Sequence, residues 1–206
     1  MAKKGMNVKN MKGLWIAGAI VFVVLLLLGW FVGSYNMLVT LNNNVDNKWA
    51  QVETVYQRRA DLIPNLINTV QGAVNFERET QTKIAELRTQ ASAIKSEMQS
   101  AKTPSELDAA GQKLDGVVKG YQGLNINVEN YPQLKATANF LALQDELANT
   151  ENKVAVERQR YNDAVKDINI AVQRFPTNVV AGIFGFKQRE YFQSAAGSEN
   201  VPEVKF

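Results

Sequence analysis

The run from Leu14 to Val32, LWIAGAIVFVVLLLLGWFV, holds nineteen residues with no charge and no strongly polar side chain. At ~1.5 Å rise per residue a helix of this length reaches ~28 Å, close to the ~30 Å hydrocarbon core of a bilayer. A buried helix of a soluble protein normally keeps a polar stripe, and this one has none. The chain is therefore expected to hang from a transmembrane anchor.

Lys3, Lys4, Lys9 and Lys12 precede the run without an acidic residue among them, and the first charge after it is Asp46. The positive-inside rule then keeps the N-terminus in the cytoplasm and sends the rest of the chain across. A cleaved signal peptide has a shorter apolar region ending at a small-x-small site. Gly33-Ser34-Tyr35 offers no convincing one, so the span is expected to be retained. The expected location is the cytoplasmic (inner) membrane of a bacterium, single-pass, with the C-terminal domain periplasmic or extracellular.

Of the 206 residues, none is Cys or His. That removes the common zinc, haem, iron–sulfur and copper sites, the Ser-His-Asp triad and the Cys-His pair. No metal and no cofactor is expected. With the four N-terminal lysines set aside, the formal charge falls from +3 to −1. Phosphate-backbone binding needs clustered positive charge, so no nucleic-acid partner is expected.

Beyond the anchor, apolar residues recur at helical spacing. Leu38, Val45, Val52, Arg59, Leu66 and Ala73 repeat every seven residues, with Trp49, Tyr56, Ile63 and Val70 four positions on. Pro64 falls inside this helix and should kink it, with a turn near 72–75. A second amphipathic helix is expected through Ile84, Leu87, Ala91, Ile94 and Met98. Thr103-Pro104-Ser105-Glu106 reads as a T-x-x-E capping box with proline at the first helical position. The third helix, through Leu107, Leu114, Val117, Val118 and Tyr121, carries four glycines and should be the least stable. Leu124–Val128 alternates like a strand but has no partner, and is read as helix or irregular. A long fourth helix opens at Pro132 and runs to about Arg174, with Phe140, Leu147, Val154, Tyr161, Ile168 and Phe175 at intervals of seven. The expected fold is all-α: the transmembrane helix, then an antiparallel up-down-up-down four-helix bundle with long first and last helices. The expected organisation is a basic cytoplasmic tail at 1–13, the anchor at 14–33, the bundle at 34–175 and a C-terminal segment at 176–206.

Three sets of residues are candidate contacts. Gly29 and Gly33 form a small-xxx-small pair suited to a helix-dimer contact, or a chance pair in a glycine-tolerant span. In the tail, Val179, Val180, Ile183, Phe184 and Phe186 would touch lipid headgroups or a neighbouring chain, or else close the end of the bundle. Arg59, some 24 residues past Tyr35, and Glu151, some 23 before Arg174, would stand level in an antiparallel pair of helices. We expect Arg59 to pair with Glu151, and Arg158 to lie a turn or two further along the same face, fixing helix register more than adding stability.

The runs YNMLVTLNNNV…RRADLIPNLI, YPQLKATANFLALQDEL…TENKVAVERQRYNDAV and FPTNVVAGIFGF, in that order, resemble the LemA family of bacterial membrane proteins. The resemblance covers nearly everything after the lysine-rich tail. It implies a single N-terminal membrane segment and an α-helical bundle, and no established enzymatic activity. An enzyme would have to use Glu151 as a base with Tyr161 or Tyr56 as an acid, but nearby arginines make a carboxylate a poorer base. The expected function is a non-enzymatic scaffold or adaptor of the cell envelope, in contact with the bilayer, self-assembling as a homo-oligomer or holding envelope proteins. The alternative is a regulatory or sensor protein that binds a ligand or controls an envelope protease or kinase.

Overall fold

A computed structural model describes residues 8–73, 78–122 and 138–193. Among these, every regular element is a helix: α1 (Val8–Ala73), α2 (Arg78–Ser100), α3 (Pro104–Gln122), α4 (Ala138–Gln173) and α5 (Thr177–Phe184). The chain divides into two units, Met1–Asn43 with Asp167–Gln188, and Asn44–Lys166 with Arg189–Phe206.

The second unit is the helical bundle. Val45, Val52, Tyr56, Ile63 and Leu66 of α1 are buried, as the seven-residue rows require, and so is Arg59. Ile84, Ala91, Ile94 and Met98 supply the buried face of α2, and Leu107, Leu114, Val117 and Tyr121 that of α3. Val154 and Tyr161 do the same for α4.

Interhelical pairs fix the directions. Arg58 meets Glu146 while Trp49 meets Tyr161, so α1 and α4 run antiparallel. Lys113 meets Glu97 and Gly120 approaches Leu87, so α3 runs back along α2. Gly111 lies against Tyr56 and Asp115 against Arg59, which makes α3 parallel to α1. The order is up, down, up, down. The α3 start is capped as its sequence demands: Glu106 N–H donates to Thr103 Oγ1 at 3.2 Å, and Lys102 N–H donates to the Glu106 carboxylate at 2.7 Å.

In the first unit, α1 contains a stretch long and apolar enough to cross a membrane, with none of its most apolar window buried. Leu25 and Leu27, for instance, are each 60% exposed. Beyond that stretch, Ser34, Leu38, Ile168, Ala171, Val180 and Ala181 are buried within the same unit. The α5 helix ends at Gly185, whose φ of 75° is left-handed, and Phe186 N–H closes it on the Ala181 carbonyl at 3.0 Å.

Two expectations need correcting. The seven-residue row of the fourth helix does not include Phe175, because α4 stops at Gln173 and Phe175 lies in the turn to α5, 77% exposed. A helical interval has no meaning once the helix has ended. Gly72 and Ala73 belong to the first helix, which runs on through Pro64, and not to the turn expected at 72–75, whose residues 74 and 75 lie outside the described ones. The expected opening at Pro132, the alternating Leu124–Val128 and the side chain of Phe140 lie outside the described residues.

Candidate functional site

Arg59 is the charged member of an otherwise apolar row, and its side chain is 8% exposed. Its Nη2 lies 2.6 Å from Asp115 Oδ1 and 4.0 Å from Glu151 Oε2. The nearer partner belongs to α3, the glycine-bearing helix, and was not anticipated from sequence. Even that contact is a close charge pair off the N–H axis, since Asp115 Oδ1 accepts no directed hydrogen bond among the described residues. Glu151 is far wetter, with its side chain 70% exposed. A cavity of about 210 Å³ opens beside Arg59, bounded by Leu66, Tyr121, Gln144 and Glu151.

Arg158, seven residues beyond Glu151 on α4, has partners of its own. It pairs with Asp108 at 2.9 Å, donates to the Gln193 carbonyl at 2.6 Å, and lies over the Phe192 ring at 5.1 Å. Gln193 and Phe192 belong to a strap at the end of the described chain. Tyr161 OH donates to the Glu190 carbonyl at 3.1 Å. Asn162 brackets Phe192, donating to its carbonyl at 3.0 Å and accepting from its N–H at 2.9 Å. Arg189 pairs with Asp46, and Ser105 donates to the Glu190 carboxylate. Phe192 is buried between Trp49, stacked at 6.0 Å, and Tyr161, edge-on at 5.2 Å. The strap is thus fastened to α1, α3 and α4 at once. No periodicity or motif in the sequence marks this strap.

Arg59 and Arg158, with Tyr56 and Tyr161 beside them, form a belt of polar groups in the bundle. Burial pushes the Tyr56 hydroxyl up to about 12; the nearby Arg158 and Arg59 oppose this by smaller amounts, while Asp108 adds to it. Burial also raises Tyr161, and Tyr121 too. These tyrosines hold their protons at neutral pH, and the Tyr161 proton is already directed at a backbone carbonyl. Among the described residues no group of three His, Cys, Asp or Glu side chains is placed to hold a metal ion.

The first unit gathers the remaining candidates. Phe184 packs on Tyr35 with ring centroids 4.5 Å apart and on Phe31 at 5.8 Å, and Phe186 reaches Tyr35 at 6.0 Å. Val179 and Ile183 are exposed at 51% and 63%. Val180 is fully buried, so it belongs to the interior of the unit rather than to a contact surface, because α5 turns it inward with Ala181. Gly29 and Gly33 face open space: a Cβ built on either would meet nothing within 4 Å.

The profile of the LemA family matches residues 48–206. Magnetosome protein MamQ 2 of Paramagnetospirillum magneticum is 26% identical over 194 residues, covering 86% of this chain and 70% of that protein. Magnetosome protein MamQ of Magnetospirillum gryphiswaldense is 25% identical over 201 residues, covering 90% and 72%. Protein LemA of Metamycoplasma hominis is 28% identical over 151 residues, covering 73% and 65%. None of these names denotes a reaction.

Proposed function

This chain belongs to the LemA family, and from that premise we propose that it is a membrane-anchored, non-enzymatic scaffold that assembles with copies of itself, or holds partner proteins, at the bilayer surface. The observation that carries the reading is the apolar face of the first unit. Val179 and Ile183 are exposed on a helix whose Phe184 packs against the end of the apolar span, through Phe31 and Tyr35. Exposed apolar residues set beside a membrane segment are suited to lipid and to neighbouring protein. In the bundle, by contrast, the arginines of the belt already have carboxylate partners within the chain.

The four lysines before the span set its direction, so the N-terminus is cytoplasmic and the bundle lies on the far side of the cytoplasmic membrane. Because the chain has no cysteine, single cysteines at Lys4 and Ser100 give a clean readout. An impermeant maleimide added to intact cells with the outer envelope opened should label the second and spare the first; the reverse pattern overturns the orientation.

Light scattering of the full-length protein in mild detergent tests assembly. The expected result is a defined oligomer that dissociates on Val179→Ser with Ile183→Ser. A single chain per micelle at every concentration overturns self-assembly and leaves heterologous partners as the targets to capture.

A further inference from the structure

The first unit contains a second feature that the scaffold reading does not use. An open groove of about 610 Å³ runs between α1 and the end of α4, lined by Trp30, Met37 and Leu41 on one side and by Ile170, Arg174 and Phe175 on the other. Its apolar walls are open to the surroundings: Trp30 is 40% exposed, Met37 43%, Ile170 50% and Phe175 77%.

Trp30 belongs both to the groove and to the last turn of the apolar span, and Trp15 stands at the other end. Tryptophan favours the level where hydrocarbon gives way to headgroups, so the groove opens at that level and continues the lipid-facing surface of the span. The Trp30 end of the groove is therefore within reach of lipid.

Charge then selects the lipid. Arg174 lines the groove at the end next to α5 and makes no ion pair among the described residues. The acidic residue of the lining, Asp167, lies seven residues earlier on α4, ~10 Å away along the helix axis. A guanidinium presents a planar fork of donors that fits two phosphate oxygens. A zwitterionic headgroup already neutralises its own phosphate, whereas an anionic one leaves a net negative charge for Arg174 to meet.

We infer that this groove receives an anionic phospholipid from the leaflet at the Trp30 end of the span, with its phosphate on Arg174 and an acyl chain leaving past Trp30 and Phe175 towards the hydrocarbon core. The inference rests on reading Leu14–Val32 as membrane-spanning, and the test separates the two.

The full-length chain with Trp15→Phe and Trp49→Phe keeps Trp30 as its single tryptophan. It is reconstituted into phosphatidylcholine vesicles in which about one lipid in ten carries brominated chains, on either phosphatidylglycerol or phosphatidylcholine. Brominated phosphatidylglycerol should quench Trp30 about threefold more than brominated phosphatidylcholine, and Arg174→Gln should bring the two level while Arg174→Lys keeps part of the difference. Equal quenching in the wild-type groove, or an excess that survives Arg174→Gln, overturns the lipid site. If Trp30 is unquenched by either lipid while a Trp15-only chain is quenched, the span is in the bilayer and protein covers the groove, which overturns the lipid site alone. If neither tryptophan is quenched, the membrane-spanning reading itself falls. Should Trp49→Phe prevent folding, Trp49 is retained and its emission, measured with Trp15→Phe and Trp30→Phe, is subtracted.

Discussion

Two stretches of α1 share one helix and obey opposite rules. Between Leu14 and Val32 leucine, valine, isoleucine and phenylalanine cover the whole circumference and stay exposed. From Val45 to Leu66 the apolar residues keep to one side and are buried, with Val52 fully so and Leu66 at 4%. The backbone is the same in both, so helix propensity cannot explain the contrast. The second stretch gains its stability by taking one face out of water against α2, α3 and α4, whereas the first, apart from Phe31 against Phe184, stays uncovered by the described residues. Its apolar surface is stable only where the solvent is itself hydrocarbon. The comparison teaches that burial within the fold and hydrophobicity are separate quantities, and that their disagreement locates the membrane.

Substitutions of one residue type in the two places should break this symmetry most. Leu114→Ala, which empties a fully buried site, should cost the bundle ~2–5 kcal/mol in chemical denaturation of the full-length protein. Leu26→Ala, at a site 57% exposed, should leave that unfolding curve in place. Leu26→Lys should also leave the bundle unmoved, yet cost ~3 kcal/mol of membrane insertion, read as a fall in the membrane-bound fraction. Comparable losses of bundle stability from Leu26→Ala would mean that the apolar stretch packs on protein.

The buried arginine sharpens the contrast from the polar side. Arg59→Ala should destabilise by about 3 kcal/mol, through lost packing as much as lost charge. Of its two partners, Asp115→Ala should cost about 2 kcal/mol because it leaves a buried guanidinium with only a distant, wet carboxylate. Glu151→Ala should cost less than about 1 kcal/mol, as solvent screens a side chain that exposed. A larger effect at Glu151 than at Asp115 would reverse the assignment of the pair.

Alkaline titration probes the same interior. Tyr56 has its folded-state pKa raised from 10.0 to about 12, so the unfolded chain loses this proton first. The associated stability is complete below pH 10 and declines as pH rises towards 12, by up to about 3 kcal/mol. Tyr56→Phe should reduce the slope of that decline in thermal melts taken from pH 9 upward, Tyr121 and Tyr161 keeping part of it, and an unchanged slope would show that Tyr56 does not contribute.

The smallest expected effects have opposite signs within α3. A Cβ on Gly111 would stand 2.8 Å from the Tyr56 ring, which is buried and cannot step aside, so Gly111→Ala should cost ~1–3 kcal/mol. Gly116 is exposed with nothing within 4 Å, and Gly116→Ala should add up to about 1 kcal/mol. Matching signs in the two variants would mean that α3 does not pack on α1 as described.

By itself, the sequence determined those features that a single helix can record. A helix writes its buried face into the spacing of its apolar residues, so Val45, Val52, Ile84, Leu114 and Tyr161 could be assigned to the core. The capping hydrogen bonds of Thr103 and Glu106 are equally local, and the apolar span is visible from composition alone. Only the tertiary structure decided which elements meet, because periodicity states which face is covered but not by whom or in what register. Glu151 was the carboxylate that helix arithmetic placed level with Arg59, while Asp115, on a helix whose register depends on the preceding connections, came closer. Gly111 reads as a weak point in α3 until the Tyr56 ring is seen against it. The strap through Glu190 and Phe192 has no periodicity at all, since its hydrogen bonds run to residues about thirty positions away.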